Sequence, residues 1–321
     1  MDQEVCVHVM SRVVQKRFLI DEEGMVEMRR ILRTQARFAG MEVITFCFLK
    51  NHFHILLHLD PATARKEVSD EELVRRFRAL YGGKRSPSLG VDAESLAVVL
   101  RGDSGRAESV RGQLKARMGD VSVFMREFKT RFTFWYNEHY QTVGTFWAER
   151  FRSVLVEPGS LALRAVAAYV DLNAVRAGLA DTPLNYRFCG LGEAAGGQSR
   201  ARAAYEWLVR QRDRRGQEDR NPRDCYERYL AFVNRLIARL AREHEALKER
   251  PGSPVERQGG QEAAAPHAYS VKGGAVGSAG WVDRLRATGG IFGFLQRKTT
   301  RSVVIDGADT DIHAARGWRS S

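Results

Sequence analysis

The chain has 321 residues, 44% of them hydrophobic, and 51 Lys and Arg against 39 Asp and Glu give it a formal net charge of +12. That length supports one large domain or two smaller ones with ample core, no apolar run is long enough to span a bilayer, and Cys6, Cys47, Cys189 and Cys225 form no Cys-x-x-Cys pair, which argues against a zinc site built from them. The basic balance favours polyanionic partners, nucleic acid first. The N-terminus has no basic start followed by an apolar stretch, so a cytoplasmic, reducing location without a membrane is expected.

Residues 5–12 read as a strand. Asp21 to Ala39 reads as a helix: Asp21 caps it, Glu22 and Glu23 fill its first turn, Gly40 ends it, and Met25, Met28, Ile31, Leu32, Ala36 and Phe38 form its buried stripe. Strands follow at about 42–49 and 52–59, joined by a tight Lys50-Asn51 turn. Residues 60–119 form a helical insertion, charged at 70–81 and 106–118, with a turn-rich stretch between that has room for another short helix. The spacing of Phe124, Phe128, Phe132 and Trp135 predicts a helix over 121–140. Residues 149–157 resemble a strand, and Pro158-Gly-Ser160 starts a helix that runs to Gly178.

With the insertion set aside, the order is β-α-β-β-α-β and then a helix, the split βαβ order. It predicts an α+β fold, ferredoxin-like or RRM-like, within residues 1–198. The sheet is antiparallel, with helices on one face and His52 and His54 on a central strand looking at the other. Residues 199–250 form a basic helical C-terminal extension, and 251–266 read as a linker. The small segment 267–321, partly disordered, holds a Gly-rich run (Gly273–Ser278) before a short helix from about Trp281. That run has the look of a phosphate-binding turn but lacks the P-loop lysine arrangement.

His52 and His54 stand at i and i+2 of a strand and leave the same face. Phe53, Ile55 and Leu57 alternate with them and fix that phase. Two imidazoles so placed are half of a divalent-metal site, although a lone His-x-His is a weak signal. His58 shares the face but lies about 13 Å beyond His54 at strand rise, too far for the same ion. Tyr169, Asn173 and Arg176 make one polar stripe at i, i+4 and i+7 of an otherwise apolar helix. A tyrosine in an amphipathic helix is usually packing, but packing needs no amide and guanidinium on the same line.

Lys50-Asn51-His52-Phe53-His54-Ile55-Leu56-Leu57 resembles the HUH motif, two histidines around a hydrophobic residue. Tyr169-Val-Asp-Leu-Asn173-Ala-Val-Arg-Ala-Gly-Leu179 resembles the tyrosine-helix signature of REP-associated tyrosine transposases, with Ala174 where that family usually has Pro. Phe146-Trp147-Ala-Glu-Arg150-Phe151 is similar to the block preceding that family's last strand. The likeness covers roughly residues 5–190. It implies that His52, His54 and Asn173 hold Mg²⁺ or Mn²⁺ and that Tyr169 is the nucleophile toward single-stranded DNA, at a hairpin or palindromic repeat. The intermediate would be a 5′-phosphotyrosine. A phenol ordinarily titrates near ~10, so attack needs a nearby cation or a base. The alternative is a catalytically idle hairpin-binding protein derived from such an enzyme. Monomer and homodimer both remain open, and nucleoid association is expected when DNA is bound. Arg12, Lys16, Arg17, Lys129, Arg131, Arg150, Arg152 and Arg176 are candidates to track a DNA backbone, each with a solvated surface charge as its alternative. Tyr140, Phe146 and Trp147 are candidates to stack on bases, with core packing the stronger reading for Trp147.

Overall fold

The computed structural model describes residues 4–60, 68–102, 105–210, 222–248, 274–278, 300–305 and 308–316. They fall into two compact units. One is built mainly from Arg12–Val43 and His58–Phe151, the other from Val5–Ser11, Ile44–Leu57 and the chain from Arg152 onward.

In the first unit, α1 (Glu22–Ala39) begins where Asp21 accepts a hydrogen bond from the Gly24 N–H at 2.8 Å and ends at Gly40, which takes the left-handed conformation at φ 67°. Every apolar residue of its predicted stripe is buried. The insertion contains α2 (Asp70–Tyr81), α3 (Ala93–Arg101) and α4 (Gly105–Lys115). These helices bury Leu73, Phe77, Leu80, Leu96, Leu100 and Leu114 with Phe38 of α1 in a core of their own. A large side chain buried this way contributes about 1.5–3 kcal/mol, so the insertion is a folded layer on α1 and not a decorated loop. The next helix, α5 (Val121–His139), packs on α1 and buries Phe124, Phe128 and Phe132. Arg117 and Gln35 both donate to Glu127 at 2.7 Å across these helices.

The second unit carries the sheet: β1 (Val5–Arg12), β2 (Glu42–Phe48), β3 (His52–Leu59) and β4 (Arg152–Val156). They run in the order β2-β3-β1-β4, with β1 and β4 antiparallel and Cys6 facing Val156. This four-stranded antiparallel sheet with its helices is an α+β fold. Its order follows from the connections, because each helical crossover leaves a gap that a later strand fills. β4 starts three residues later than expected; before it the chain is held by single contacts, Val13 bridging Trp147 and the Ala148 N–H reaching the Arg12 carbonyl. The sheet continues through β5 (Gly274–Gly277), β7 (Ala308–Arg316) and β6 (Thr300–Ile305), β5 lying parallel to β4. The Gly-rich run is therefore a strand and not a phosphate-binding turn. The expected linker at 251–266 and the helix from Trp281 lie outside the described residues.

After β4 come α6 (Leu161–Asp171), α7 (Asn173–Arg176), α8 (Gly190–Ala195), α9 (Ser199–Val209) and α10 (Pro222–Lys248). In place of the single helix expected from 160 to 178, the structure has a break at Leu172, where the Asn173 side-chain amide occupies the Tyr169 carbonyl at 2.7 Å. α6 packs against Cys6, Leu56, Val154 and Val156, which share a face with His8, His52 and His54 by strand alternation. The expectation that the histidines look away from the helices is thus corrected: the tyrosine helix covers their face. The other face, with Val5, Val7, Val9, Phe53, Ile55 and Leu57, is buried as well. α9 and α10 add Tyr205, Leu208, Tyr226, Tyr229 and Val233 to this same core. The boundary expected at residue 198 falls inside one unit, because these helices have an apolar face that the sheet unit covers.

Candidate functional site

β3 opens directly after the Lys50-Asn51 turn, so its first residues, His52 and His54, project together at one end of the strand. Both are buried, His52 5% and His54 2% exposed, and their ring centroids are 5.2 Å apart at 80°. The Tyr169 ring of α6 meets the His54 ring edge-on, 5.5 Å away at 88°. Asn173 follows on the next helical turn, and the Arg176 guanidinium lies 5.1 Å from the centre of the Tyr169 ring. The histidine pair and the polar stripe are thus neighbours within one compact unit.

A third histidine belongs to the group. His8 of β1 is buried, stacks on His54 at 5.1 Å and meets the Tyr169 ring at 5.9 Å. Its Nε2 lies 2.9 Å from His54 Nδ1. Burial pushes the His8 imidazole down to about 4, so near neutral pH it is uncharged, with one ring nitrogen a donor and the other an acceptor. Nothing in the chain near His8 announces this role, since it sits in a run that reads as an ordinary apolar strand.

These contacts bear on whether a metal fits. Asn51 Oδ1 lies 2.5 Å from His52 Nδ1. An amide oxygen only accepts, so His52 carries its proton on Nδ1 and its lone pair on Nε2. For His54, donation from Nδ1 to His8 would do the same, whereas donation from His8 would place the His54 proton on Nε2. Asn173 uses its Nδ2 on the carbonyls of Tyr169, at 2.7 Å, and Val170, at 3.4 Å, which leaves Oδ1 as the oxygen a metal would use. Two imidazoles and an amide oxygen suit a divalent ion such as Mn²⁺ or Mg²⁺. Among the described residues no three His, Cys, Asp or Glu side chains are arranged to hold a metal ion.

One buried carboxylate lies beyond the residues singled out from sequence. Asp171, at the end of α6, accepts hydrogen bonds from Thr45 at 2.5 Å and Tyr205 at 2.8 Å on Oδ1, and from Tyr229 at 2.6 Å on Oδ2. Burial raises its carboxyl to about 6, against the opposing effect of these hydrogen bonds. The clue in the sequence is an acid inside an apolar helical run, a position that demands partners.

The basic candidates are divided between the two units. In the sheet unit Arg152 is exposed and Arg176 stacks on Tyr169. In the other unit Lys16 and Arg17 are exposed, Lys16 in the left-handed region at φ 57°, Arg150 is exposed, and Arg12 is half-buried. Arg131 is taken up in packing: it donates to the Leu80 carbonyl and stacks 4.6 Å from the Tyr81 ring. Lys129 is half-buried and donates to the Glu149 carbonyl at 2.6 Å. Phe146 and Trp147 are buried, as expected of Trp147, and Tyr140 donates to Asp21 at 2.5 Å. His58 contacts Glu4 at 2.5 Å.

No protein-family model matches the sequence, and no curated protein matches it. Among solved structures, the chain is similar to a REP-associated tyrosine transposase bound to a REP hairpin, with a TM-score of 0.37 and 13% identity, over 60% of this chain and 80% of that one. The resemblance is distant. No described helix is long and apolar enough to cross a membrane.

Proposed function

We propose that this protein is a metal-dependent transposase that cleaves and rejoins single-stranded DNA, at a hairpin or palindromic repeat, through a 5′-phosphotyrosine on Tyr169. The observation that carries the reading is the contact of the Tyr169 ring with His54, 5.5 Å between centroids, beside His52 and on the helical stripe that leads to Asn173. Packing alone would explain a tyrosine there, but not two hydrogen-bonded histidines, an amide and an arginine around it.

His52, His54 and Asn173 would hold Mg²⁺ or Mn²⁺. The chemistry supplied by the bound ion is Lewis-acid polarisation of the scissile phosphate and stabilisation of charge on the leaving oxygen. Tyr169 Oη forms the new bond to phosphorus as the bond to the 3′ oxygen breaks, and the strand leaves with a free 3′-hydroxyl. In strand transfer an incoming 3′-hydroxyl attacks the same phosphorus and returns the phenol. The phosphodiester energy stays in the adduct, so no nucleotide cofactor is consumed. Arg176, stacked on the phenol ring, keeps a permanent cation beside the attacking group, suited to a phosphate dianion-like transition state. His8 and Asn51 hold the two histidines in orientation.

The test is incubation of the full chain with an end-labelled single-stranded hairpin and Mn²⁺, followed by denaturing electrophoresis. The expected result is a covalent protein–DNA band that disappears in Tyr169→Phe and on chelation by EDTA. A band that survives in Tyr169→Phe, or DNA binding with no band under any metal, sinks the enzymatic reading. The latter outcome would support the idle hairpin binder.

A further inference from the structure

The unit that contains α5 has a groove of about 630 Å³ running between the outer side of that helix and the segment 144–151 that follows it. Among the described residues its charged lining is Arg126, Lys129 and Arg150; Glu149, next to Arg150 in the chain, is outside the lining but acts on Lys129. Its floor is firmly built. Trp147 Nε1 donates to the Lys129 carbonyl at 3.1 Å, and Phe146 packs edge-on against Phe132 at 5.1 Å. Phe134, by contrast, stands in the same lining with 67% of its surface exposed. It breaks the pattern of α5, whose other phenylalanines are buried. A phenylalanine at an ordinary solvent-facing helix position contributes nothing to folding, whereas one beside a cationic groove offers a flat ring to a planar ligand.

We propose that this groove binds single-stranded DNA, with Phe134 stacked on an unpaired base and Arg126 and Arg150 on the flanking phosphates. The proposal deepens the function above and rests on it for the choice of DNA. The argument for an unpaired strand is geometric: duplex bases already stack on one another and present only their edges, so an exposed ring gains a base face only where the strand is open. The argument for a polyanion is the lining itself, whose charged members among the described residues are three cations. Lys129 plays a smaller part than the two arginines, because its ammonium is already bonded to the Glu149 carbonyl and lies 5.7 Å from the Trp147 ring. The assignment takes the place of Phe146 as a candidate to stack on bases, since Phe146 is buried, as is Trp147, for which core packing was expected.

The experiment measures fluorescence anisotropy of a labelled dT₂₀ and of a duplex of equal length, using the full chain in a Tyr169→Phe background so that no cleavage intervenes. Phe134→Ala is expected to weaken dT₂₀ binding by about 5- to 150-fold and to leave duplex binding unchanged. Arg126→Ala and Arg150→Ala are expected to weaken both and to lower the salt dependence for dT₂₀, log K against log salt, by about 0.7 for each phosphate that is no longer neutralised. Thermal melts of the variants, expected to match the parent because Phe134, Arg126 and Arg150 are exposed, keep a folding defect from imitating the result. Binding of dT₂₀ by Phe134→Ala at the parent's affinity, or an equal loss on duplex, overturns the proposal; so does displacement of dT₂₀ by poly-glutamate with equal ease from parent and variant. Adduct formation by the parent, measured separately, reports on Tyr169. A missing adduct with Phe134-dependent binding would remove the enzyme and keep the groove; an adduct with Phe134-independent binding would do the reverse.

Discussion

His8 and His54 face one another across 2.9 Å with one proton to share, and which ring carries it decides what His54 can do. With His54 as donor, its Nε2 holds a lone pair for a metal; with His8 as donor, that nitrogen is protonated and cannot ligate. His8→Ala removes the partner and frees the His54 ring to turn. It is expected to weaken Mn²⁺ binding by about 10- to 100-fold, as read by electron paramagnetic resonance titration of free Mn²⁺ without DNA. Adduct formation by the variant should recover in part at high Mn²⁺. Unchanged Mn²⁺ affinity would leave His8 a packing residue. His52 and His54 were legible because i and i+2 on a strand need no knowledge of the rest of the fold. His8 was not, since its partner lies 46 residues away and only the pairing order of the strands makes them neighbours.

At the scale of elements, Asp171 ties the tyrosine helix to three others: β2 through Thr45, α9 through Tyr205 and α10 through Tyr229. The knot is tight enough that a Cβ on Gly190 would stand 2.4 Å from Thr45 Oγ1 and 2.9 Å from the Tyr205 hydroxyl. Asp171→Ala would remove the acceptor of three buried hydroxyls; Thr45 and Tyr205 still bond each other at 2.9 Å while Tyr229 loses its partner, and at about 1–3 kcal/mol for a buried group so left the expected loss in urea unfolding is about 2–3 kcal/mol. Tyr229→Phe should cost less, about 1–2 kcal/mol, and the double variant should fall short of the sum, since both remove one bond. Additive losses would mean that the two residues act independently. Because Tyr169 lies two residues before Asp171, the same variants test whether α9 and α10 hold the tyrosine in place. The helices themselves were readable in advance from caps and apolar spacing, as at Asp21 and Gly40. Their attachment was not, because amphipathic periodicity says that a face is buried without saying against what.

For the whole molecule, the net charge of +12 predicts DNA binding that weakens steeply with salt, through release of counterions from each neutralised phosphate. One groove cation adds a pH dependence. Burial lowers the Lys129 ammonium to about 8, partly opposed by the Glu149 carboxylate. A phosphate favours the charged amine, so this contribution is present below about pH 8 and lost as the pH rises through it. The affinity for dT₂₀ should therefore fall between pH 7 and 9 in the parent, and less in Lys129→Met. An identical fall in both would assign the effect elsewhere.

The order of strands and helices, the ends of most of them, the shared phase of His52 and His54, and the Tyr169–Asn173–Arg176 stripe all follow from spacings of a few residues, where backbone geometry alone places side chains. Tertiary structure decided the rest: that the tyrosine helix lies on the histidine face, that His8 joins the group, that Asp171 gathers hydroxyls from partners up to 126 positions away, and that Phe134 borders a cationic groove. Contacts of that kind depend on how whole surfaces pack, and local periodicity carries no information about which surface meets which.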